Sequence, residues 1–300
     1  MRTEPHPSDP QPGNPPLPGL HWQVEAWRGL LDRCTRKTSG KRIHDLRIVT
    51  LRLQAALEHW LREQAPDAVG TRAVKRWMKH GKKLRRALEP VREADVCLEL
   101  LGSLHGPDPD PAPAQSDHTQ RCLREIEALE SRFQRQRATA SEALLAAIEV
   151  HHKRLDQSSR QMEKALELPL PGAQGAAAAG AWKLFNRLTN EFQDLNGSNL
   201  HVYRKQLKKV RYLAEAGTDD EAARLASTSR KMLTAAGNWH DWHVLTAEAK
   251  RRLPKRRKQD GLLAVLRTME AEALRRALKI SRLSTAQLLA DSGEEESAAL

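Results

Sequence analysis

A β-sheet is closed to this chain. Val and Ile, which favour a pleated, half-buried surface, are too scarce and scattered to build strands, while Leu, Ala, Arg, Glu and Lys dominate. An all-α protein follows. Its 300 residues allow one large domain or two smaller ones with an ample core. Proline and glycine then divide it. The opening "MRTEPHPSDPQPGNPPLPG" has no apolar segment and reads as an extended Pro-rich tail over residues 1–19, not as a signal peptide. Four helices are expected next: about His21 to Lys37, Gly40 to Gln64, and from beyond Pro66 to Leu104 with a kink near Pro90, then Asp117 to Glu167. The prolines of "GPDPDPAPAQSD" separate the last two, since alternating prolines cannot continue a helix. "LPLPGAQGAAAAGA" reads as a linker. Four more helices are expected over about 180–195, 199–216, 219–253 and 257–290, with an acidic tail at 291–300.

Lys and Arg number 50 against 38 Asp and Glu, a formal net charge of +12. That excess predicts an acidic partner: nucleic acid, an anionic membrane surface or another polyanion. No apolar run approaches the ~20 residues needed to span a bilayer, and no membrane association is expected. Cys34, Cys97 and Cys122 are widely spaced, with no C-x-x-C. The set argues against a disulfide framework and a zinc site, and favours a reducing cytoplasm.

The cations are not spread evenly. In "NLHVYRKQLKKVRYLAEAG" (199–217), His201, Arg204, Lys205, Lys208 and Arg211 fall within an arc of about 120° on a helix turning 100° per residue. Val202, Leu207, Val210 and Leu213 fall mostly on other faces. His44, Arg47, Lys41 and Arg52 form a similar face opposite Ile43, Leu46, Val49, Leu53 and Leu57. An ordinary solvated face would interleave opposite charges at i,i+4, yet Asp45 and Glu58 are the only carboxylates from Arg42 to Leu61. Lys75, Lys79, Lys82 and Arg86, flanked by Arg72 and Lys83, make a third stripe at i, i+4, i+7 and i+11. A row of this kind suits a linear polyanion, because each cation can meet a successive negative unit.

Catalysis finds little support. A general base needs an orienting partner and a nucleophile; Asp45 lies about 100° around the helix from His44, and no Ser motif or paired carboxylates accompany either histidine. In "NWHDWH" (238–243), His240 and His243 stand at i,i+3 without further ligands, and the same holds for "VHHKR" (150–154). Trp239 and Trp242 are expected to pack. No metal, cofactor or catalytic residue is expected. The basic run "KRRLPKRRK" (250–258) fits a nucleic-acid or localisation patch and, equally, a solvated loop at a helix C-terminus.

The two halves are also alike. "IHDLRIVTLR" from Ile43 parallels "LHVYRKQLKKVR" from Leu200, and "KKLRRALEPVREADV" matches "RKMLTAAGNWHDWHV" in spacing, so an internal duplication near 150 residues is plausible. His44-x-x-Arg47 with Arg52, the lysine-rich stretch leading into "VREADV", His201-x-x-Arg204-Lys205-x-x-Lys208-x-x-Arg211-Tyr212 and "AGNWHDWHV" together resemble the CHAD domain, the conserved histidine α-helical domain. The resemblance covers about residues 20–290. It implies two pseudo-symmetric four-helix bundles (20–168 and 181–290, joined by a linker at 169–180) around a basic central groove or pore. It also implies binding of inorganic polyphosphate and association with polyphosphate granules in the bacterial cytoplasm. Carried over by position, the groove would be lined by His44, Arg47, Arg52, Lys79, Lys82, Lys83 and Arg86. The second half would supply His201, Arg204, Lys205, Lys208, Arg211, Arg230 and Lys231. The chain departs from the family pattern at Leu51 and Gln54 in place of arginine, Glu89 in place of glycine, Glu93 in place of aspartate and His240 in place of asparagine. Some relatives carry a triphosphatase domain with a Glu-x-Glu-x-Lys strand; "EIEALE" from Glu125 lacks the lysine and lies in a helical stretch. The expectation is a non-enzymatic polyphosphate receptor. A nucleic-acid-binding helical protein is the alternative, and a phosphohydrolase a more distant one.

Overall fold

The computed structural model describes residues 20–36, 38–63, 70–105, 117–166, 173–217, 219–253 and 261–298. Among them are eight helices and no strand: α1 (Leu20–Arg36), α2 (Gly40–Glu63), α3 (Thr71–Gly102), α4 (Asp117–Leu166), α5 (Ala173–Glu191), α6 (Leu200–Ala214), α7 (Asp220–Arg252) and α8 (Leu262–Ala298). The Pro-rich tail, the start of the expected linker and most of the basic run at 250–258 lie outside the described residues.

Two boundaries differ from expectation for local reasons, and α3 passes Pro90 as expected. α5 starts at Ala173 instead of near residue 180, because the alanines of "AQGAAAAGA" favour helix enough to absorb its glycines. α8 continues to Ala298, as Gly293 alone costs about 1 kcal/mol and no proline follows. α3 runs on through Pro90. The ring deprives the Arg86 carbonyl of its donor, but Arg86 and Pro90 are both exposed, so water can take that place.

The chain divides into two compact units. One comprises Met1–Arg92, Ser141–Ala181 and Tyr212–Ala223; the other comprises Glu93–Ala140, Trp182–Arg211 and Arg224–Leu300. In the first, Ile43, Leu46, Leu53 and Leu57 bury one stripe of α2, while Trp77, Leu84 and Leu88 do the same for α3. Trp27 of α1 joins them: its ring meets Trp77 edge-on at 5.1 Å, and its Nε1 donates to Thr50 Oγ1 at 2.9 Å. Arg28 ties α1 to α4 through Glu163 (3.1 Å) and Asp156 (3.0 Å).

The second unit is built around Phe133, Phe185, Leu207, Val210, Leu225, Trp239, Trp242, Leu245 and Leu266, all buried. Its α8 begins on a borrowed cap. The Leu262 N–H donates to Glu125 Oε2 of α4 at 3.2 Å, giving one orphan donor of the first turn a buried carboxylate. Gly261, with φ +106°, makes the turn that leads in, and a Cβ there would lie 3.1 Å from that carboxylate oxygen.

Candidate functional site

In the second unit, cationic side chains gather on α6 and α7. Leu207 and Val210 bury one side of α6. His201, Arg204, Lys208 and Arg211 are left half-buried and Lys205 exposed. α7 packs Trp239 and Trp242, which sets His240 against α6: the rings of His201 and His240 lie with centroids 4.9 Å apart, tilted by 35°. One turn earlier, a Cβ built at Gly237 would stand 3.8 Å from Arg204 Nη2, so the guanidinium lies close along the α7 backbone. Arg230, two turns before Gly237 and thus on the same side of α7, is half-buried; Lys231 is exposed. His243 stacks on Trp239 (5.4 Å) and reaches Glu270 of α8 through Nδ1 at 2.7 Å.

These imidazoles register the local field. Burial, then the charges of Arg204, His201, Lys208 and His243, pushes His240 down to about 3. Burial and the charges of Lys205, Arg204, Lys208 and His243 lower His201 as well. Both shifts favour the neutral imidazole. The Nδ1 of His240 is buried without a hydrogen-bond partner.

The first unit is organised differently. Lys79, Lys82, Lys83 and Arg86 are exposed along α3, on the side away from Trp77, Leu84 and Leu88. On α2, His44 is half-buried, and both arginines face carboxylates. Arg47 Nη2 lies 3.6 Å from Glu89, and Arg52 Nε lies 3.1 Å from Glu215, whose side chain is only 8% exposed. Gln54 accepts from Arg85 at 2.9 Å and donates to Glu58 at 2.8 Å. The α2 cations are thus partly answered from within.

A second histidine pair escaped sequence reasoning. His80 and His151 lie 5.3 Å apart, His80 is 6% exposed, and the Nδ1 of each is buried without a partner. Burial comes first, with Lys83 and Arg154 near both rings, and lowers both pKa values. The signal was present: His80 occupies the buried stripe Trp77–His80–Leu84, where a histidine is an anomaly.

Burial pushes the Cys34 thiol up to about 11 and the Cys97 thiol up to about 12, so neither is a thiolate at neutral pH. Among the described residues no three His, Cys, Asp or Glu gather as metal ligands. Nor, among them, is any helix long and apolar enough to cross a membrane.

Residues 20–250 match the family profile described as CHAD domain. The chain belongs to the CHAD domain family. Comparison with curated proteins and with solved structures gave no match. In this CHAD domain the second histidine motif, on α6, meets a further histidine from α7, and the first, on α2, stands near two ion-paired arginines.

Proposed function

We propose that this CHAD domain binds inorganic polyphosphate and performs no chemistry on it. The observation that carries the proposal is the α6–α7 cluster, where the rings of His201 and His240 lie 4.9 Å apart and burial with the positive potential of Arg204 and Lys208 lowers both pKa values. That potential favours a ligand with charge on every repeat, and Arg forks, Lys ammoniums and imidazole N–H groups can all donate to phosphoryl oxygens. The exposed α3 row, Lys79, Lys82, Lys83 and Arg86, offers contacts at helical spacing to further units. The two pseudo-symmetric bundles and the basic groove belong to the same proposal and rest on the CHAD pattern, as does targeting to polyphosphate granules.

Nucleic acid is the alternative, and burial of the aromatics weighs against it. Every Trp and Tyr whose side chain is described is buried, so none of these rings is free to stack a base. Arg204→Glu with Lys208→Glu is expected to weaken polyphosphate binding at least about tenfold while circular dichroism stays helical. Unchanged affinity in a folded double variant would refute the proposal.

A further inference from the structure

A separate arginine cluster lies elsewhere in the second unit. Arg132, Arg135, Gln136 and Thr139, at i, i+3, i+4 and i+7, share one face of α4 and, with Arg252 at the end of α7, line an open depression of about 420 Å³. None of these lining residues is acidic. Arg132 and Arg135 are exposed, and neither has a carboxylate three or four residues away along the helix: the neighbours are Ala128, Leu129, Ser131, Gln136, Ala138 and Thr139, besides each other. Two like charges at i,i+3 repel, and the sequence supplies no local compensation.

Arg252 is held in place. Its Nε donates to Glu248 Oε2 at 2.7 Å, its Nη2 donates to Gln136 Oε1 at 3.2 Å, and its guanidinium carbon stands 5.6 Å from the Phe133 ring centroid. Glu248 is nearly buried and is shared with Arg251, so its charge is already answered by two guanidinium groups. The depression therefore keeps a net positive lining with one arm fixed before any ligand arrives. Pre-ordering of this kind reduces the entropy cost of binding.

We propose that Arg132, Arg135 and Arg252 form a second oxyanion site, built for two or more linked phosphoryl groups. Guanidinium forks match phosphoryl oxygens, and the Thr139 hydroxyl and Gln136 amide can add neutral hydrogen bonds. An apolar moiety has nowhere to go, since Phe133, at 1% exposure, lies beneath Arg252. Both a free oligophosphate and a stretch of a longer chain present this chemistry. The site shares no residue with the α6–α7 cluster, so it stands or falls separately; only the long-chain source rests on the polyphosphate proposal.

The test is calorimetric titration of the full chain with tripolyphosphate and with long-chain polyphosphate. It compares wild type, Arg132→Ala/Arg135→Ala, Arg204→Glu/Lys208→Glu and the charge-matched control Arg121→Ala/Arg124→Ala, also on α4. Arg132→Ala/Arg135→Ala is expected to weaken tripolyphosphate about tenfold or more, with the control Arg121→Ala/Arg124→Ala within about twofold of wild type. If tripolyphosphate does not bind wild type but long-chain affinity falls about tenfold in Arg132→Ala/Arg135→Ala and not in the control, the site takes a chain segment. Unchanged affinity for both ligands in that variant, or an equal loss in the control, overturns the proposal. A long-chain affinity insensitive to Arg204→Glu/Lys208→Glu would instead count against the α6–α7 site.

Discussion

At the scale of single residues, His240 has the most consequential environment. Its pKa of about 3 lies below the ordinary 6.5, so between those values the unfolded chain binds more protons than the folded one. Stability is therefore full above about pH 6.5 and declines as pH falls toward 3, and His80, His151 and His201 add to that decline in the same direction. Urea midpoints measured from pH 7.5 to 4.5 should fall with pH, and His240→Asn should flatten the curve. A bound polyanion opposes the same repulsion by favouring imidazolium. Polyphosphate affinity should then rise as pH drops from about 7.5 to about 6, less steeply in His201→Asn, which removes the imidazole beside Lys205, Arg204 and Lys208. The two α2 arginines separate by burial. Arg52→Ala leaves the nearly buried Glu215 short of a cation and should cost about 2 kcal/mol by chemical denaturation. Arg47→Ala faces the 60%-exposed Glu89 and should cost about 0.5 kcal/mol or less.

At the scale of elements, the helices were legible because each carries its own signal. The Ile43–Leu46–Leu53–Leu57 stripe marks the buried side of α2, and the prolines of 107–113 mark where α3 cannot continue into α4. The α6 cationic face was legible for the same reason, a 100° periodicity needing no knowledge of neighbours. What faces α6 was not. His240 meets His201 only because Trp239 and Trp242 fix the rotation of α7, and the Arg52–Glu215 pair joins residues far apart in sequence. Contacts between helices depend on docking, which no local pattern encodes. The α6–α7 and α2 faces should accordingly differ in function. Reversing Arg47 and Arg52 should weaken polyphosphate binding only modestly, because Glu89 and Glu215 already offset their charge. Close approach after α6 makes its own demand: a Cβ on Gly217 would fall 2.5 Å from Ala222 Cβ and 3.3 Å from the Ala214 carbonyl oxygen. Gly217→Ala should destabilise by about 1–3 kcal/mol, read as a lower urea midpoint.

At the scale of the whole molecule, a net charge of +12 would attract any polyanion weakly, so attraction alone says little about the natural ligand. A distinction comes from what the surface lacks. The described Trp and Tyr rings are packed inside, so stacking on bases is not offered by them, whereas the exposed guanidinium and ammonium groups of Lys79, Lys82, Lys83 and Arg86 can meet phosphate oxygens. Binding held by several phosphate contacts should weaken at least about tenfold between 50 and 200 mM salt. The most direct measurement is competition at fixed ionic strength, with labelled single-stranded DNA on the full chain displaced by long-chain polyphosphate, and the reverse. The account predicts displacement by polyphosphate at far lower phosphate concentration than DNA needs to displace polyphosphate. Equal potency in both directions, or a preference for DNA, would contradict it.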